Sequence, residues 1–222
     1  IARANHLPLA LMIGVRRGVN PSLMAAGDGV GCADVGSVER ICAENPDVRF
    51  LTSFLSRENQ HELCVAARKF NNLMPFGCCW FLNNPSIISE ITRERLELLG
   101  TSFIPQHSDS RVLEHLIYKW EHSRGIIAAC ISDSYGQILS TGRVVTQSDI
   151  ERDVNKMFSG NFRKWVGMES SSSHASTRHL KGHNVISLLN FGEDRLSGSD
   201  PSLDPMAGNV TSPTGRVDDP SK

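Results

Sequence analysis

An α/β fold built on parallel strands is what this sequence predicts, and three observations predict it. Short apolar runs recur at 6–15, 47–55, 74–81 and 102–105. Each is followed by a polar turn and then by helical or loop material, the strand–turn–helix unit of α/β proteins. The runs start about 25 to 40 residues apart, the pitch of a parallel βα repeat. Four such units amount to half of a (β/α)8 TIM-type barrel. A half barrel leaves two sheet edges and its inner face open. The chain is therefore expected as a fragment, as a pair of copies, or as a smaller open sheet.

The elements follow in order. HLPLALMIGV, at 6–15, is continuously apolar, as a parallel strand covered on both faces would be. After Arg16-Arg17 the stretch 19–36 is rich in glycine and small residues and reads as a long loop. Its Gly27-Asp28-Gly29-Val30-Gly31 lacks the full spacing of a nucleotide fingerprint, and no strand precedes it. Ser37 is placed as the cap of a short helix running to Ala43. A second strand, 47–55, leads into a helix at 56–70 with Leu63, Cys64, Ala67 and Phe70 on one face. A third strand spans 74–81, and Asn84 then caps a helix with Pro85 at its first position. Ile87, Ile88, Ile91 and Leu98 form that helix's buried side, and Gly100 terminates it. Glu90, Arg93, Glu94, Arg95 and Glu97 are assigned to its solvated side. A fourth strand at 102–105 precedes a helix at 111–122 that buries Leu113, Leu116, Ile117 and Trp120. Residues 126–140 read as apolar, then turn-like. Ser148 and Glu151 suggest a capping box opening a helix to about Phe158, and 161–166 reads as a docking segment.

Residues 1–166 thus form one partial barrel domain. Serine, glycine, aspartate and proline dominate 167–222, which is expected to be a disordered tail. His174, His179 and His183 fall in that tail, scattered rather than spaced as ligands.

Bulk properties narrow the function. Net charge is −1 over 222 residues, with 21% charged and 40% hydrophobic. That gives no field suited to nucleic acid or an anionic membrane. No apolar run reaches the ~20 residues of a membrane span, and 7–15 lacks the flanks of a signal peptide. The six cysteines show no metal-type spacing and are expected reduced and mostly buried, in a cytoplasmic setting. Cys78 and Cys79 would point to opposite faces of the third strand. The first residue is Ile1, which suits a trimmed or partial product.

In α/β folds the chemistry sits at the carboxyl ends of the strands. Those ends carry Arg16 and Arg17, then Ser53 and Ser56, then Trp80 and Asn83, then His107, Asp109 and Arg111. The last cluster is the strongest candidate. A carboxylate just beyond a strand suits a metal ligand or general base. Arg111 offers a planar fork for a substrate carboxylate, next to a helix N-terminus. The competing reading is structural: Ser108, Asp109 or Ser110 as a plain N-cap, His107 as a hydrogen-bonded histidine, Trp80 as core. His6, His115 and His122 are assigned no function.

The motifs WFLNNP, RLELLGTSFIPQHSDSR and LIYKW, with LMIGVRRGVNP and SRENQHELCVAARKFNNLMPFG before them, resemble the C-terminal half of uronate (glucuronate) isomerases. The likeness is to a divergent branch within the amidohydrolase superfamily, and it runs from Leu11 to about Phe162. It implies a distorted (β/α)8 barrel. It also implies aldose–ketose interconversion, D-glucuronate to D-fructuronate or D-galacturonate to D-tagaturonate, with a divalent metal, zinc, beside the uronate sugar. Asp109 would be the metal-ligating or proton-transferring aspartate, Arg111 a substrate contact, and Trp80 a pocket wall. Arg17 and His107 would complete the substrate-binding set. This chain departs from the pattern in three places. It has no His-x-His pair, Met12 stands where many members carry histidine, and Cys79-Trp80 replaces a tandem tryptophan. The remaining metal ligands are expected outside this chain, on a missing N-terminal half or a second copy. A hydrolase of the same superfamily and a non-catalytic fragment are the alternatives, because one fold hosts many chemistries.

Overall fold

The computed structural model describes residues 1–110 and 112–168. Of the predicted tail only Gly167 and Met168 are included, so the expected disorder and the three tail histidines lie outside the described residues.

Three strands, β1 (Leu9–Ile13), β4 (Phe50–Phe54) and β5 (Leu73–Pro75), form a parallel sheet in that order. Leu9 pairs with Phe50, and Phe50 with Leu73. The fourth predicted strand is a single parallel bridge, Phe76 to Ile104. Backbone bonds from Ile104 N to Pro75 O, 3.1 Å, and from Gly77 N to Ile104 O, 2.9 Å, fix it beside β5. Consecutive parallel neighbours require long crossovers. Here helices α1 (Val35–Glu44), α2 (Gln60–Ala67), α3 (Pro85–Leu99) and α4 (Leu113–Ser140) fill or follow them, and neighbouring helices pack together. The parallel α/β class read from the sequence is what the structure has.

The first apolar run does not remain one buried strand. It breaks at Gly14, which has φ of 106° and where a Cβ would lie 2.9 Å from the Gly31 carbonyl oxygen. Beyond it, β2 (Val15–Arg16) pairs antiparallel with β3 (Gly29–Val30). Among the described residues β1 has a neighbour on one side only and is an edge strand, and Leu9 and Met12 are about 40% exposed. The glycine-rich stretch is held by Asp28, which accepts from Gly18 N at 3.0 Å and pairs with Arg17. That carboxylate serves loop closure.

Alternation in β4 separates two layers. Phe50 and Phe54 join Val35, Val38, Leu63 and Leu73 under the helices. Leu51 packs on the opposite face with Met74, Ile104 and Trp165. A second helical core gathers Ile88, Ile91, Phe103, Ile127, Ile131 and Met157. Trp165 comes from α6 (Asn161–Trp165), the predicted docking segment. Asn161 anchors it by donating to Thr101 O and Phe103 O at 2.7 and 2.8 Å.

Several local expectations are corrected. Ser37 lies inside α1, whose N-cap is Asp34, and its hydroxyl donates to the Asp34 carboxylate. Cys78 and Cys79 lie beyond β5 rather than within a strand. The Ser148–Glu151 box is instead Thr146 with Asp149, opening α5 (Gln147–Asn155), because the capping hydroxyl must precede the helix. Residues 126–140 continue α4 without a break. Arg95 is buried, not solvated. Leu113, Ile117 and Tyr118 are 77%, 73% and 62% exposed, and Leu116 also faces out. Those positions have helical spacing, yet no described element covers them. Among the described residues no helix is long and apolar enough to cross a membrane.

Candidate functional site

The carboxyl ends of the strands carry a polar layer above the apolar one. On β4, Leu51 belongs to the apolar face, while Ser53 on the same side is fully buried with its hydroxyl 3.7 Å from Cys79 Sγ. The next turn begins at Phe76 and Gly77. Gly77 has φ of 72°, and a Cβ there would fall 1.9 Å from His107 Cδ2. Glycine is required twice over, by the left-handed backbone and by the imidazole lying on it. The His107 ring also tilts against Phe76, with centroids 4.6 Å apart.

Gln106 ties the third and fourth strand ends together. It is buried, and its Oε1 accepts from Cys78 N at 2.9 Å and from His107 N at 3.0 Å. Its Nε2 donates to Ser123 Oγ at 2.8 Å and to Asn83 Oδ1 at 3.3 Å. Both turns and α4 are thereby held by one amide. Gln106 was not singled out in the sequence. Its place directly after an apolar pair and before His107 is the only signal it leaves there.

His107 is depressed below the usual histidine range by burial, which the nearby Asp109 carboxylate opposes and Lys119 and Arg95 reinforce. Its Nε2 is buried without a partner. Burial therefore disfavours the charged ring, and one nitrogen is left without a partner among the described residues. Cys79 is pushed up to about 11, chiefly by burial, so it is a thiol rather than a nucleophile at neutral pH. All six cysteines are free, five of them buried and Cys32 exposed.

Asp109 lies in the left-handed region, φ 39°, which aspartate tolerates better than most residues. Its carbonyl accepts from Lys119 Nζ at 2.6 Å, and its carboxylate makes no hydrogen bond among the described residues. Neither it nor Ser108 nor Ser110 caps a helix: α4 begins at Leu113 after Val112, which offers no side-chain cap. The plain N-cap reading is thus removed. The helix N-terminus expected beside the cluster starts four residues beyond Asp109. Arg111 lies outside the described residues.

Trp80 opens a short 3-10 turn, Trp80–Leu82, at φ 50°, stacked on Phe81 with centroids 4.8 Å apart. A tryptophan in the left-handed region is strained, and it is 38% exposed rather than core. The Arg17 guanidinium sits 5.8 Å over its ring while paired with Asp28. Asn84 does cap α3, accepting from Ile87 N at 3.3 Å. The fold thus brings Arg17 to Trp80, and His107 to the Gly77 turn three residues before that tryptophan.

The donor set does not make a metal centre by itself. Among the described residues no three or more His, Cys, Asp or Glu side chains converge, and Asp109 supplies one carboxylate. A cavity of about 680 Å³ lies elsewhere, between α3, α4 and α5. Its Tyr135 hydroxyl is already bonded to Asp153 at 2.7 Å, and Arg93 to Asp133 at 2.6 Å. We place the site at the strand ends instead, where the uncommitted groups are.

No protein-family model matches the chain, and no curated protein matches it. Solved structures do. A uronate isomerase of Bacillus halodurans C-125 is 58% identical over 75% of this chain and 39% of its own, with a TM-score of 0.73. A uronate isomerase of Thermotoga maritima, 16% identical, covers 74% of this chain and 38% of its own at a TM-score of 0.63. A glucuronate isomerase of Caulobacter crescentus, 15% identical, covers 80% and 39% at 0.64. The last two speak for the fold alone. The chain spans about two fifths of the length of each of these proteins.

Proposed function

We propose that this chain, similar over three quarters of its length to part of a uronate isomerase, is the C-terminal half of such an enzyme's barrel and carries part of its active site. The observation that carries the reading is the 58% identity to the Bacillus halodurans enzyme. The reaction would be aldose–ketose interconversion of D-glucuronate or D-galacturonate, in a cytoplasmic setting.

The strand-end geometry supports particular roles. Interconversion moves a proton between C2 and C1 of the open-chain sugar, so it needs a base near both carbons. Asp109, its carboxylate without a partner among the described residues, suits that role. Trp80 forms a wall that Arg17 leans over, and an arginine fork suits the sugar carboxylate. Arg111 belongs to the same proposal through the resemblance alone. His107, seated on Gly77 with its Nε2 buried there, forms part of the floor beneath the sugar. A divalent metal, zinc, is part of the proposal, with Asp109 as one ligand and the others from outside these residues. The described donor set does not complete such a centre.

A second reading is favoured by the surface. The free edge of β1 and the bare apolar face of α4 from Leu113 to Tyr118 suit a chain that needs further βα units or another copy before it can act. One experiment separates the two. The purified chain is given D-glucuronate and D-galacturonate with zinc, and the ketose is followed by NMR. Turnover that disappears in Asp109→Asn supports the enzyme reading. Turnover that survives in Asp109→Asn removes Asp109 from the chemistry. Binding without turnover favours the incomplete half, and neither binding nor turnover overturns the uronate assignment.

A further inference from the structure

We infer that Arg95 is a specificity-determining residue of the strand-end site: a buried, uncompensated guanidinium that favours ligands bearing a carboxylate. The inference rests on the uronate reading above. Arg95 stands in a charged run on α3, but its neighbours Glu90, Arg93 and Glu97 are exposed while it is 1% exposed. Its Nη1 donates to Gly77 O at 3.0 Å and its Nη2 to Gln60 Oε1 at 3.1 Å. Its Nε is buried with no partner, and the guanidinium carbon lies 6.0 Å over the Phe103 ring. Both hydrogen-bond acceptors are neutral, and among the described residues no carboxylate forms an ion pair with it. Gln60 carries no charge to neutralise it, and its Nε2 is held by donating to Phe54 O and Ser56 O at 2.9 and 3.0 Å.

Burying a charge without a counterion is costly, and an apolar side chain of similar volume would fill such a gap more cheaply. Departures of this kind concentrate at functional sites. The position of the charge says what it serves. The Gly77 carbonyl it holds belongs to the turn on which His107 lies, so the cation sits one residue beneath the floor of the site. Of the other cations near that floor among the described residues, Arg17 is paired with Asp28, and Lys119, bonded to the neutral Asp109 carbonyl, is only half-buried, where water screens it, so Arg95 is the buried one. A fixed positive charge in a poorly solvated place acts over several ångströms. It favours a sugar acid over the neutral sugar of the same shape. A mere brace of the Gly77 turn would affect both ligands alike.

The test compares D-glucuronate with D-glucose, the uncharged analogue, by calorimetric titration of the full chain. Variants are Arg95→Met, Arg95→Lys and Gln60→Glu, each checked for folding by its unfolding midpoint. Gln60→Glu places a carboxylate against the guanidinium and so compensates the charge where it lies. In Arg95→Met and Gln60→Glu, D-glucuronate affinity is expected to fall on the order of tenfold while D-glucose affinity stays within about twofold. Arg95→Lys, which keeps the charge, should keep the preference. Equal losses for both ligands, or an unchanged preference, overturn the inference and leave the uronate reading intact. If the unaltered chain binds no D-glucuronate, the uronate reading fails and this inference with it. Should Arg95→Met not fold, Gln60→Glu decides.

Discussion

Helices α3 and α4 are neighbours in sequence and in space, yet they begin very differently. Helix α3 starts on Asn84 and Pro85, with a side-chain cap and a pre-set first turn. Its apolar residues Ile88 and Ile91 are fully buried against Phe103, Ile127 and Ile131. Helix α4 starts on Val112 with no cap, and its first turns expose Leu113, Ile117 and Tyr118. Only from Ser123 onward does α4 bury a face, through Ser123, Ile127, Cys130 and Ile131. Both helices carry apolar residues at helical spacing. The difference is whether a described element lies opposite, so the pattern reports a capacity to be buried rather than burial itself.

Mutations can break this contrast. Ile91→Ala, deep in the α3–α4 core, is expected to cost about 2–5 kcal/mol, read as a lower urea midpoint with little change in slope. A cost under about 1 kcal/mol would mean that α3 is not seated as described. Asn84→Ala removes the cap and is expected to cost about 1 kcal/mol, seen in the same denaturation series.

Acid tests a third helix start that resembles α3 more than α4. The Asp149 carboxyl of the α5 capping box is held at about 2 by the Thr146 hydroxyl and backbone and by Arg152. Its folded value lies below the unfolded one of about 3.9. Its contribution is therefore complete above that value and is lost as pH falls toward about 2. Asp149→Asn should flatten this acid limb of stability, and a limb of unchanged steepness would remove the box from the account. The smallest effect belongs to the bare face of α4. Ile117→Ala in this chain should change stability by less than about 0.5 kcal/mol. A loss several times larger would show that something covers that face in solution.

The strand-end site divides along similar lines. Its candidates Asp109, His107, Trp80 and Arg17 were legible because they follow apolar runs, and α/β topology places such residues at one end of the sheet. What tied them together was not legible. Gln106 and Gln60 are ordinary polar letters until the fold aims their amides at backbone groups from other units. Arg95 read as one more charge on a solvated helix face, because charge alternation carries no information about which side meets a neighbour. The cap expected near Asp109 was misplaced for a local reason. Several small polar residues precede α4, and the chain starts the helix only after Val112.

The sequence by itself determined the parallel α/β class, the order of the units, the Asn84–Pro85 start of α3 and its stop at Gly100. These depend on apolar periodicity and on backbone preferences within a few residues. Only the tertiary structure decided that the first apolar run breaks at Gly14 into an edge strand, and that Gly77 must be glycine because His107 lies on it. It also decided that Arg95 is buried beneath that turn. Each of these depends on groups far apart in the chain meeting within a few ångströms, and no local pattern records such meetings.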